Sequence, residues 1–219
     1  MITLIFGGTF DPPHRAHLFL AQAAQHELSA SKVSFMPSVR PAHRQTASSP
    51  KARTDMLKLA IADTTNFDVE MMEWELANEG LSSYTTISLK RIRARTPPSI
   101  DLCLLIGQDC WEQIQTWYHY RDLLKSAHLA IAPRSQSGPV DHEYLKGLTP
   151  PEWQPFIVER LPHERTSTAW RGSIIFLTQL PLLAISATAI RTQIKAGSYP
   201  KDLLQPSVLS YIRKHQLYQ

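Results

Sequence analysis

Short apolar runs alternate along the chain with segments whose apolar residues have helical spacing. The apolar runs predict buried strands at 1–6, 33–36, 67–72, 101–106, 128–132, 174–177 and 182–185. The helical segments lie at 18–28, 53–62, 84–93, 187–196 and 207–215, and Ser82 or Ser83 is the predicted cap of the third. Continuous apolar strands that alternate with helices are typical of a mainly parallel sheet covered on both faces. The pattern therefore predicts an α/β protein.

One stretch breaks this alternation. Between about residues 134 and 172 the chain is rich in proline, charged and polar residues, and Pro150, Pro151, Pro155 and Pro162 interrupt regular structure. A length of 219 residues suits one domain with a substantial core. We therefore expect residues 1–219 to form a single domain, with an insertion or irregular excursion that carries short helices at about 134–172.

The composition restricts the class of protein. Apolar residues make up 43% and charged residues 19%, and no apolar run reaches membrane length. The N-terminus has no secretory signal pattern, so we expect a cytoplasmic protein that does not enter a membrane. Cys103 and Cys110 are too few for a disulfide scaffold. The formal charge of +4 suits small anionic substrates, and since no basic stripe with interleaved aromatic residues is present, nucleic-acid binding is not expected.

The sequence IFGGTFDPPHRAH, at 5–17, joins the first predicted strand to the first predicted helix. Gly7 and Gly8 allow the backbone to turn sharply and to approach a ligand. His14 and His17 lie at the start of the helix, where unpaired N–H groups and the helix dipole favour anions. The pattern predicts a phosphate site; a metal site, or a helix cap with a surface histidine, is the alternative. Neither GxGxxG nor GxxxxGK[ST] occurs, so a phosphate would be bound in another way.

A second junction of this kind occurs near the C-terminus, in the sequence ISATAIR at 185–191. Ser186 is a suitable N-cap and Gly197 a suitable helix stop. Thr188 and Arg191 offer a hydroxyl and a guanidinium to phosphate oxygens. Because ligands of open parallel sheets lie outside the carboxyl ends of the strands, the two junctions can face one cleft. The alternative is an ordinary capped helix with a solvent-facing arginine.

Both motifs resemble those of a known family. GGTFDPPHRAH resembles the signature of the nucleotidylyltransferase superfamily, with Ala16 where that signature has glycine, and ISATAIR resembles the ISSTxIR motif of pyridine-nucleotide adenylyltransferases. IGQD at 106–109, TWYHY at 116–120, SSYT at 82–85 and PAHR at 41–44 are similar to segments of bacterial nicotinate-nucleotide adenylyltransferases. In PAHR, Ala42 stands where the family has a second proline. The resemblance covers nearly the whole chain and is weakest between about 134 and 172.

This resemblance implies a Rossmann-like fold and a specific reaction. The reaction transfers an adenylyl group from ATP to nicotinate mononucleotide, giving nicotinate adenine dinucleotide and pyrophosphate in NAD biosynthesis. By resemblance, His14 and His17 stabilise the transition state. The residues expected beside ATP are Gly7, Gly8, Thr9, Phe10, Gly107, Asp109, Ser186, Thr188 and Arg191. Those expected beside nicotinate mononucleotide are His43, Arg44, Tyr84, Thr85, Trp117 and Tyr118.

Magnesium is expected as Mg-ATP, held mostly by substrate and water and without a direct protein ligand. Asp11 is either an outer-sphere partner of that ion or a turn residue before Pro12. No organic cofactor is expected, and the sequence leaves the oligomeric state open.

Other functions compete with this one. The closest alternative is an enzyme that uses nicotinamide mononucleotide or accepts both mononucleotides. Pantetheine-phosphate adenylyltransferases share the first motif, but ISATAIR favours a pyridine nucleotide, and the same observation disfavours a cytidylyltransferase. A module that senses nucleotides without turnover is the more distant alternative.

Overall fold

The centre of the molecule is a sheet of parallel strands. The computed structural model describes residues 1–40, 45–133, 142–162, 172–178, 183 and 185–219. Within these residues the sheet has six strands in the order β3-β2-β1-β4-β5-β6, and every neighbouring pair is parallel. The strands are β1 (Ile2–Gly8), β2 (Lys32–Pro37), β3 (Phe67–Val69), β4 (Asp101–Gly107), β5 (His128–Ala132) and β6 (Ile174–Phe176). The predicted parallel α/β architecture is confirmed.

Helices connect the strands. The α-helices are α1 (Arg15–Glu27), α2 (Pro50–Ile61), α3 (Met72–Asn78), α4 (Thr85–Arg95), α5 (Gln108–Trp111), α6 (His142–Gly147), α7 (Ala187–Lys195) and α8 (Pro206–Lys214). Short 3-10 helices lie at Ile114–Thr116, Tyr120–Lys125 and Pro151–Phe156. None of the helices in the described ranges is long and apolar enough to span a membrane.

Each face of the sheet has its own hydrophobic core. Successive residues of a strand point to opposite faces, so Leu4 and Phe6 of β1 enter one core whereas Ile5 enters the other. Helices α1, α2, α7 and α8 cover the first core, and α3, α4 and α5 cover the second. Burial on both faces explains why the strands read as continuous apolar runs.

The order of the strands reverses beside β1. Strand β1 pairs with β2 on one side and with β4 on the other, and Phe6 lies opposite Leu105. The carboxyl ends of β1 and β4 therefore open side by side, at the point where the connections diverge. In open α/β sheets this is the place where ligands bind.

Several predicted boundaries are wrong. The strand predicted at 67–72 ends at Val69, and helix α3 starts at Met72, whose N–H donates to the Glu70 carboxylate. Helix α4 is capped by Tyr84, and neither Ser82 nor Ser83 takes that position. At α3 the cause is local, because the Glu70 carboxylate accepts the Met72 N–H at the turn between β3 and the helix.

Two other helix starts differ by a few residues. Helix α2 begins at Pro50, three residues before the prediction, because the Ser49 hydroxyl accepts the Ala52 N–H and proline suits the first turn. Helix α8 begins at Pro206, one residue before the prediction, with the proline again in the first turn. Of the strand predicted at 182–185, residues 182 and 184 lie outside the described residues, and Leu183 and Ile185 are not in a strand.

Most of the described part of 134–172 packs against the second core, whereas Val158 and Leu161 pack with the first. Helix α6 and the 3-10 helix Pro151–Phe156 lie there, with Leu145 and Trp153 buried. The Trp111 indole N–H donates to the Leu145 carbonyl at 2.9 Å. Residues 134–141 and 163–171 lie outside the description, and the insertion stays a prediction.

Candidate active site

Gly8 is required by the fold itself. The loop that follows β1, residues 9–14, is called the signature loop here. Its Phe10 has a left-handed backbone (φ 52°) and is buried against Phe6 and Phe35. A Cβ atom on Gly8 would lie 2.8 Å from Cζ of Phe10, whereas one on Gly7 would meet only Cε of Met36 at 3.9 Å. Packing explains Gly8, and Gly7 leaves an open surface at the strand end.

His14 and His17 form a stacked pair at the start of α1. Their ring centroids are 3.7 Å apart, with 27° between the planes. His14 is the N-cap, and its backbone N–H donates to Nδ1 of His17 at 3.2 Å. The structure thus brings the two predicted catalytic residues together at a helix N-terminus, the place where anions are stabilised.

His14 is a buried histidine. Its side chain is 6% exposed, and among the described residues its Nδ1 has no hydrogen-bond partner. Burial lowers its pKa from 6.5 to about 4, so the ring is neutral near pH 7. The alternative of a surface histidine does not hold for His14. Within the described ranges no group of three or more His, Cys, Asp or Glu residues is arranged as a metal site.

The Asp11 carboxylate points into the protein. One oxygen accepts the Ser48 hydroxyl at 2.5 Å and the Tyr218 hydroxyl at 2.6 Å, and the other accepts the Ala47 N–H at 2.6 Å. Asp11 is 4% exposed. These contacts join the signature loop to the start of α2 and to the segment after α8. An outer-sphere role toward magnesium stays a prediction.

The start of α7 meets the signature loop. Ser186 caps the helix by accepting the Ala189 N–H at 3.1 Å. Arg191 donates from Nη1 to the Asp11 carbonyl at 2.7 Å and from Nη2 to the Thr188 hydroxyl at 3.1 Å. The arginine is therefore held toward the first motif and does not extend into solvent. The two sequence motifs are therefore in direct contact.

Gly107 and Asp109 lie at the adjoining strand end. Gly107 is the last residue of β4 and the N-cap of α5, and Asp109 lies in the first turn of that helix. Because β4 pairs with β1, these residues border the same opening as Gly8. An acidic residue in the first turn also suits the helix dipole. Contact with the ATP ribose stays a prediction.

The residues predicted for the pyridine ring form a second cluster. Tyr84 stacks on Tyr118 with centroids 4.4 Å apart and 17° between the planes, and both rings are partly exposed. The Thr86 hydroxyl donates to the Tyr118 carbonyl at 2.7 Å. Thr85 is the first residue of α4, and Trp117 is half-buried against the second core. These residues combine aromatic faces with the N–H groups of a helix start.

His43 and Arg44 lie outside the described residues, but the contacts just before them are clear. Glu73 of α3 accepts the Val39 N–H at 3.0 Å and the Ser38 hydroxyl at 3.2 Å. Burial raises the pKa of this carboxyl group. Glu73 therefore fixes the chain where it leaves β2.

Sequence reasoning missed several residues that build this site: Arg53, Glu73, Thr86 and Tyr218. Arg53 is fully buried and donates to the Thr9 carbonyl at 2.7 Å. The sequence does indicate the burial of Arg53, because this residue lies on the apolar face of α2, three residues before Met56 and four before Leu57. Tyr218 carried no such signal, because its partner is far away in the sequence.

Comparison with known proteins identifies the class. The cytidylyltransferase-like family model matches residues 5–193, which span the sheet and both motifs, so the chain belongs to that family. A nicotinate-nucleotide adenylyltransferase of Escherichia coli is 33% identical over 217 residues, covering 98% of this chain and 97% of the relative. A relative from Idiomarina loihiensis, named "Probable nicotinate-nucleotide adenylyltransferase", is 35% identical, and the match covers all of both chains. Within its class the chain is thus a member of the nicotinate-nucleotide adenylyltransferase group.

Solved structures agree on the fold. The nicotinic acid mononucleotide adenylyltransferase of Plasmodium falciparum, complexed with NaAD, superposes with a TM-score of 0.72 at 16% identity, over 99% of this chain and 97% of that one. The same protein complexed with APC gives a TM-score of 0.69 at 17% identity, over 99% of this chain and 96% of that one. The architecture is therefore that of a Rossmann-like nucleotidyltransferase.

Proposed function

We propose that the protein transfers the adenylyl group of ATP to nicotinate mononucleotide, releasing nicotinate adenine dinucleotide and pyrophosphate in NAD biosynthesis. The observation that carries the proposal is the contact of the two motifs: Arg191 reaches the signature loop, beside the stacked pair His14 and His17. The full-length similarity to nicotinate-nucleotide adenylyltransferases supports the choice of substrates. The cytoplasm is the proposed location.

The chemistry needs alignment and neutralisation of charge. A phosphate oxygen of the mononucleotide attacks the α-phosphorus of ATP, and the bond from that phosphorus to the oxygen bridging to the β-phosphate breaks. The attacking phosphate is largely ionised at neutral pH, since its second pKa is about 6, so no strong general base is required. Catalysis then rests on holding the reactants in line and on stabilising the leaving pyrophosphate.

The histidines act at the triphosphate. A neutral His14 ring can donate a hydrogen bond to a phosphate oxygen, and the negative charge of bound ATP would raise its pKa. His17 is the proposed main contributor to the rate. Ser186, Thr188 and Arg191 hold the phosphates from α7, while Gly7, Gly8, Thr9 and Phe10 line the end of β1. Gly107 and Asp109 receive the ATP ribose or adenosine.

The acceptor binds beside α4. Trp117 offers a face for the nicotinate ring, and backbone N–H groups near Thr85 and Tyr118 receive its carboxylate. Such donors favour a carboxylate over an amide, because an ionised acceptor forms the stronger hydrogen bond. His43 and Arg44 are proposed for the phosphate of the mononucleotide. Mg²⁺ enters as part of the substrate Mg-ATP, where it neutralises phosphate charge.

A coupled assay tests the substrate. Pyrophosphate release from Mg-ATP is measured with nicotinate mononucleotide and with nicotinamide mononucleotide, and the acid is expected to give the higher kcat/KM. Equal or better use of the amide would contradict the acid preference. Binding of ATP without any turnover would favour the sensing module.

The His17→Ala variant tests the reaction centre. It should lower pyrophosphate release by about 100-fold or more, the range for a group that stabilises developing charge. Its unfolding temperature should stay close to that of the wild type. Turnover near the wild-type rate would reject the role of His17. His26→Ala, on the exposed side of the same helix, is the control and should keep full activity.

A further inference from the structure

Three side chains from distant parts of the sequence hold the signature loop. Arg53 donates to the Thr9 carbonyl at 2.7 Å, and Arg191 donates to the Asp11 carbonyl at 2.7 Å. Tyr218, which follows α8, donates from its hydroxyl to the Asp11 carboxylate at 2.6 Å. The arginines restrain the backbone of the loop, whereas Tyr218 restrains the orientation of its one acidic side chain.

The Asp11 carboxylate is saturated with hydrogen bonds. Besides Tyr218, it accepts the Ser48 hydroxyl at 2.5 Å and the backbone N–H groups of Ala47 and Ser48 at 2.6 Å and 3.3 Å. A carboxylate that is almost fully buried needs such partners, because an unpaired buried charge is strongly unfavourable. Loss of one of these donors therefore disturbs the Asp11 carboxylate, because water cannot readily replace the donor at a buried position.

The two residues after Asp11 transmit its position. Pro12 and Pro13 are both buried, and each has a backbone φ fixed by its ring. His14 follows directly as the N-cap of α1. A displacement of Asp11 is therefore passed along a stiff segment to the stacked histidines, with few torsions available to absorb it.

We propose that Tyr218 is a positioning residue for ATP binding and adenylyl transfer, acting through Asp11 on the signature loop; this rests on the proposed function. The hydroxyl is suited to the role, since burial and the neighbouring Asp11 carboxylate raise the pKa of Tyr218 and keep it protonated. The ring packs against the first core, which fixes the donor in place.

The chain contains a matched control. Tyr211 of α8 also donates its hydroxyl to a carboxylate, that of Asp55 in α2, at 3.1 Å. This second pair joins α8 to the same helix that follows Ser48, but it does not touch the signature loop. Tyr218→Phe and Tyr211→Phe therefore each remove one hydroxyl from one tyrosine–aspartate pair.

The experiment compares wild type, Tyr218→Phe and Tyr211→Phe for kcat, for the KM of ATP, for the Kd of ATP by calorimetry and for the unfolding temperature. Tyr218→Phe should lower kcat/KM for ATP by about tenfold and weaken ATP binding by about threefold, as expected for a lost hydrogen bond to a charged group. Tyr211→Phe should keep both constants within about twofold of wild type, even where the two variants lose similar stability. Equal constants in the two variants would overturn the proposal.

A double-mutant cycle asks whether Tyr218 acts through Asp11. If it does, adding Tyr218→Phe to Asp11→Asn should change kcat/KM for ATP by less than about twofold, because the partner is already altered. Multiplying effects would show that Tyr218 acts by another route. If Asp11→Asn does not fold, the comparison of Tyr218→Phe with Tyr211→Phe still tests the positioning role of Tyr218.

The readouts separate this proposal from the proposed function. If wild type binds ATP but releases no pyrophosphate with nicotinate mononucleotide, the proposed acceptor is wrong. The role of Tyr218 is then read from the ratio of the ATP affinities, which needs no second substrate. Unchanged ATP affinity in Tyr218→Phe would reject it in that case.

Discussion

At the scale of single residues, the two adjacent glycines have different causes. Gly8 is fixed by Phe10, which leaves no space for a Cβ atom, and Phe10 in turn contacts His17 with ring centroids 5.1 Å apart. Gly7 meets no such restriction inside the protein. The sequence motif has a glycine at both positions, but packing inside the protein explains only Gly8.

Alanine substitutions should separate these causes. Gly8→Ala should lower the free energy of unfolding by about 1 to 3 kcal/mol, because Phe10 must move. It should also lower activity through His17. Gly7→Ala should change stability by less than about 1 kcal/mol, while weakening ATP binding if the ligand approaches the backbone there. Chemical denaturation with ATP calorimetry measures both; a stable, fully active Gly8→Ala protein would contradict the account.

The buried His14 makes stability depend on pH. Well above pH 6.5 the ring is neutral in the folded and unfolded states and adds no pH dependence. Between pH 6.5 and 4 the unfolded chain binds a proton that the folded protein rejects, so the free energy of unfolding falls as the pH is lowered, by about 3 kcal/mol at pH 4. Denaturation from pH 4 to 7.5 should show this loss in wild type and much less in His14→Gln.

At the scale of elements, the apolar pattern predicted those strands whose positions depend on burial in the two cores. Strands β1, β2, β4, β5 and β6 were found because each is buried on both faces. Helix α3 was missed although Met72 and Leu76 have helical spacing, since the apolar run of β3 leads directly into it. The predicted cap of α4 was wrong, because the Ser83 side chain hydrogen-bonds to the Glu73 carboxylate of α3 and Tyr84, which stacks on Tyr118, takes the N-cap position.

The residues of the candidate site also fall into two groups: those that the sequence indicates and those that only the folded structure reveals. The motifs around His14 and Arg191 were recognised because each is a short contiguous sequence that resembles a motif of a known family. The contacts of Glu73, Thr86 and Tyr218 were not, because each depends on a partner brought near by the fold. Spacing along a chain carries no record of such pairs.

Two threonines, Thr86 in α4 and Thr96 at the C-cap of that helix, test the aromatic cluster. Thr86 and Thr96 each donate a hydroxyl to a backbone carbonyl at 2.7 Å, Thr86 to Tyr118 and Thr96 to Ile92 at the far end of the helix. Thr86→Val should raise the KM for nicotinate mononucleotide by about threefold to tenfold, which corresponds to one lost hydrogen bond. Thr96→Val should leave it within about twofold. Steady-state kinetics with ATP saturating decides, and equal KM values would remove the cluster from the acceptor site.

At the scale of the whole molecule, the sheet reverses its strand order at β1, and the two cores fix the strands on either side of the opening. The edge of the sheet at β6 depends on the close approach of two backbone segments. Gly172, before β6, would place a Cβ atom 2.0 Å from the Ala127 carbonyl oxygen, and its N–H donates to the Leu124 carbonyl at 2.6 Å. The Cβ atom would clash with backbone atoms, so the clash cannot be relieved by moving a side chain.

Gly172→Ala should therefore destabilise the whole protein by about 3 kcal/mol or more. The lost stability reflects displacement of β6 from β5. Gly147→Ala is the control, because a Cβ atom at Gly147 meets nothing within 4 Å, and it should stay within about 0.5 kcal/mol of wild type. Urea unfolding measures both; wild-type stability of Gly172→Ala would be the contrary result.

The hydrogen bond between Asp11 and Tyr218 joins residues 207 positions apart. During synthesis on the ribosome, Asp11 emerges early. Its hydrogen bond with Tyr218 cannot form until Tyr218 has left the exit tunnel. Contacts of such long sequence separation also form late in folding, because a large loop must close first. A growing chain therefore holds a signature loop that lacks its final restraint until Tyr218 has reached Asp11.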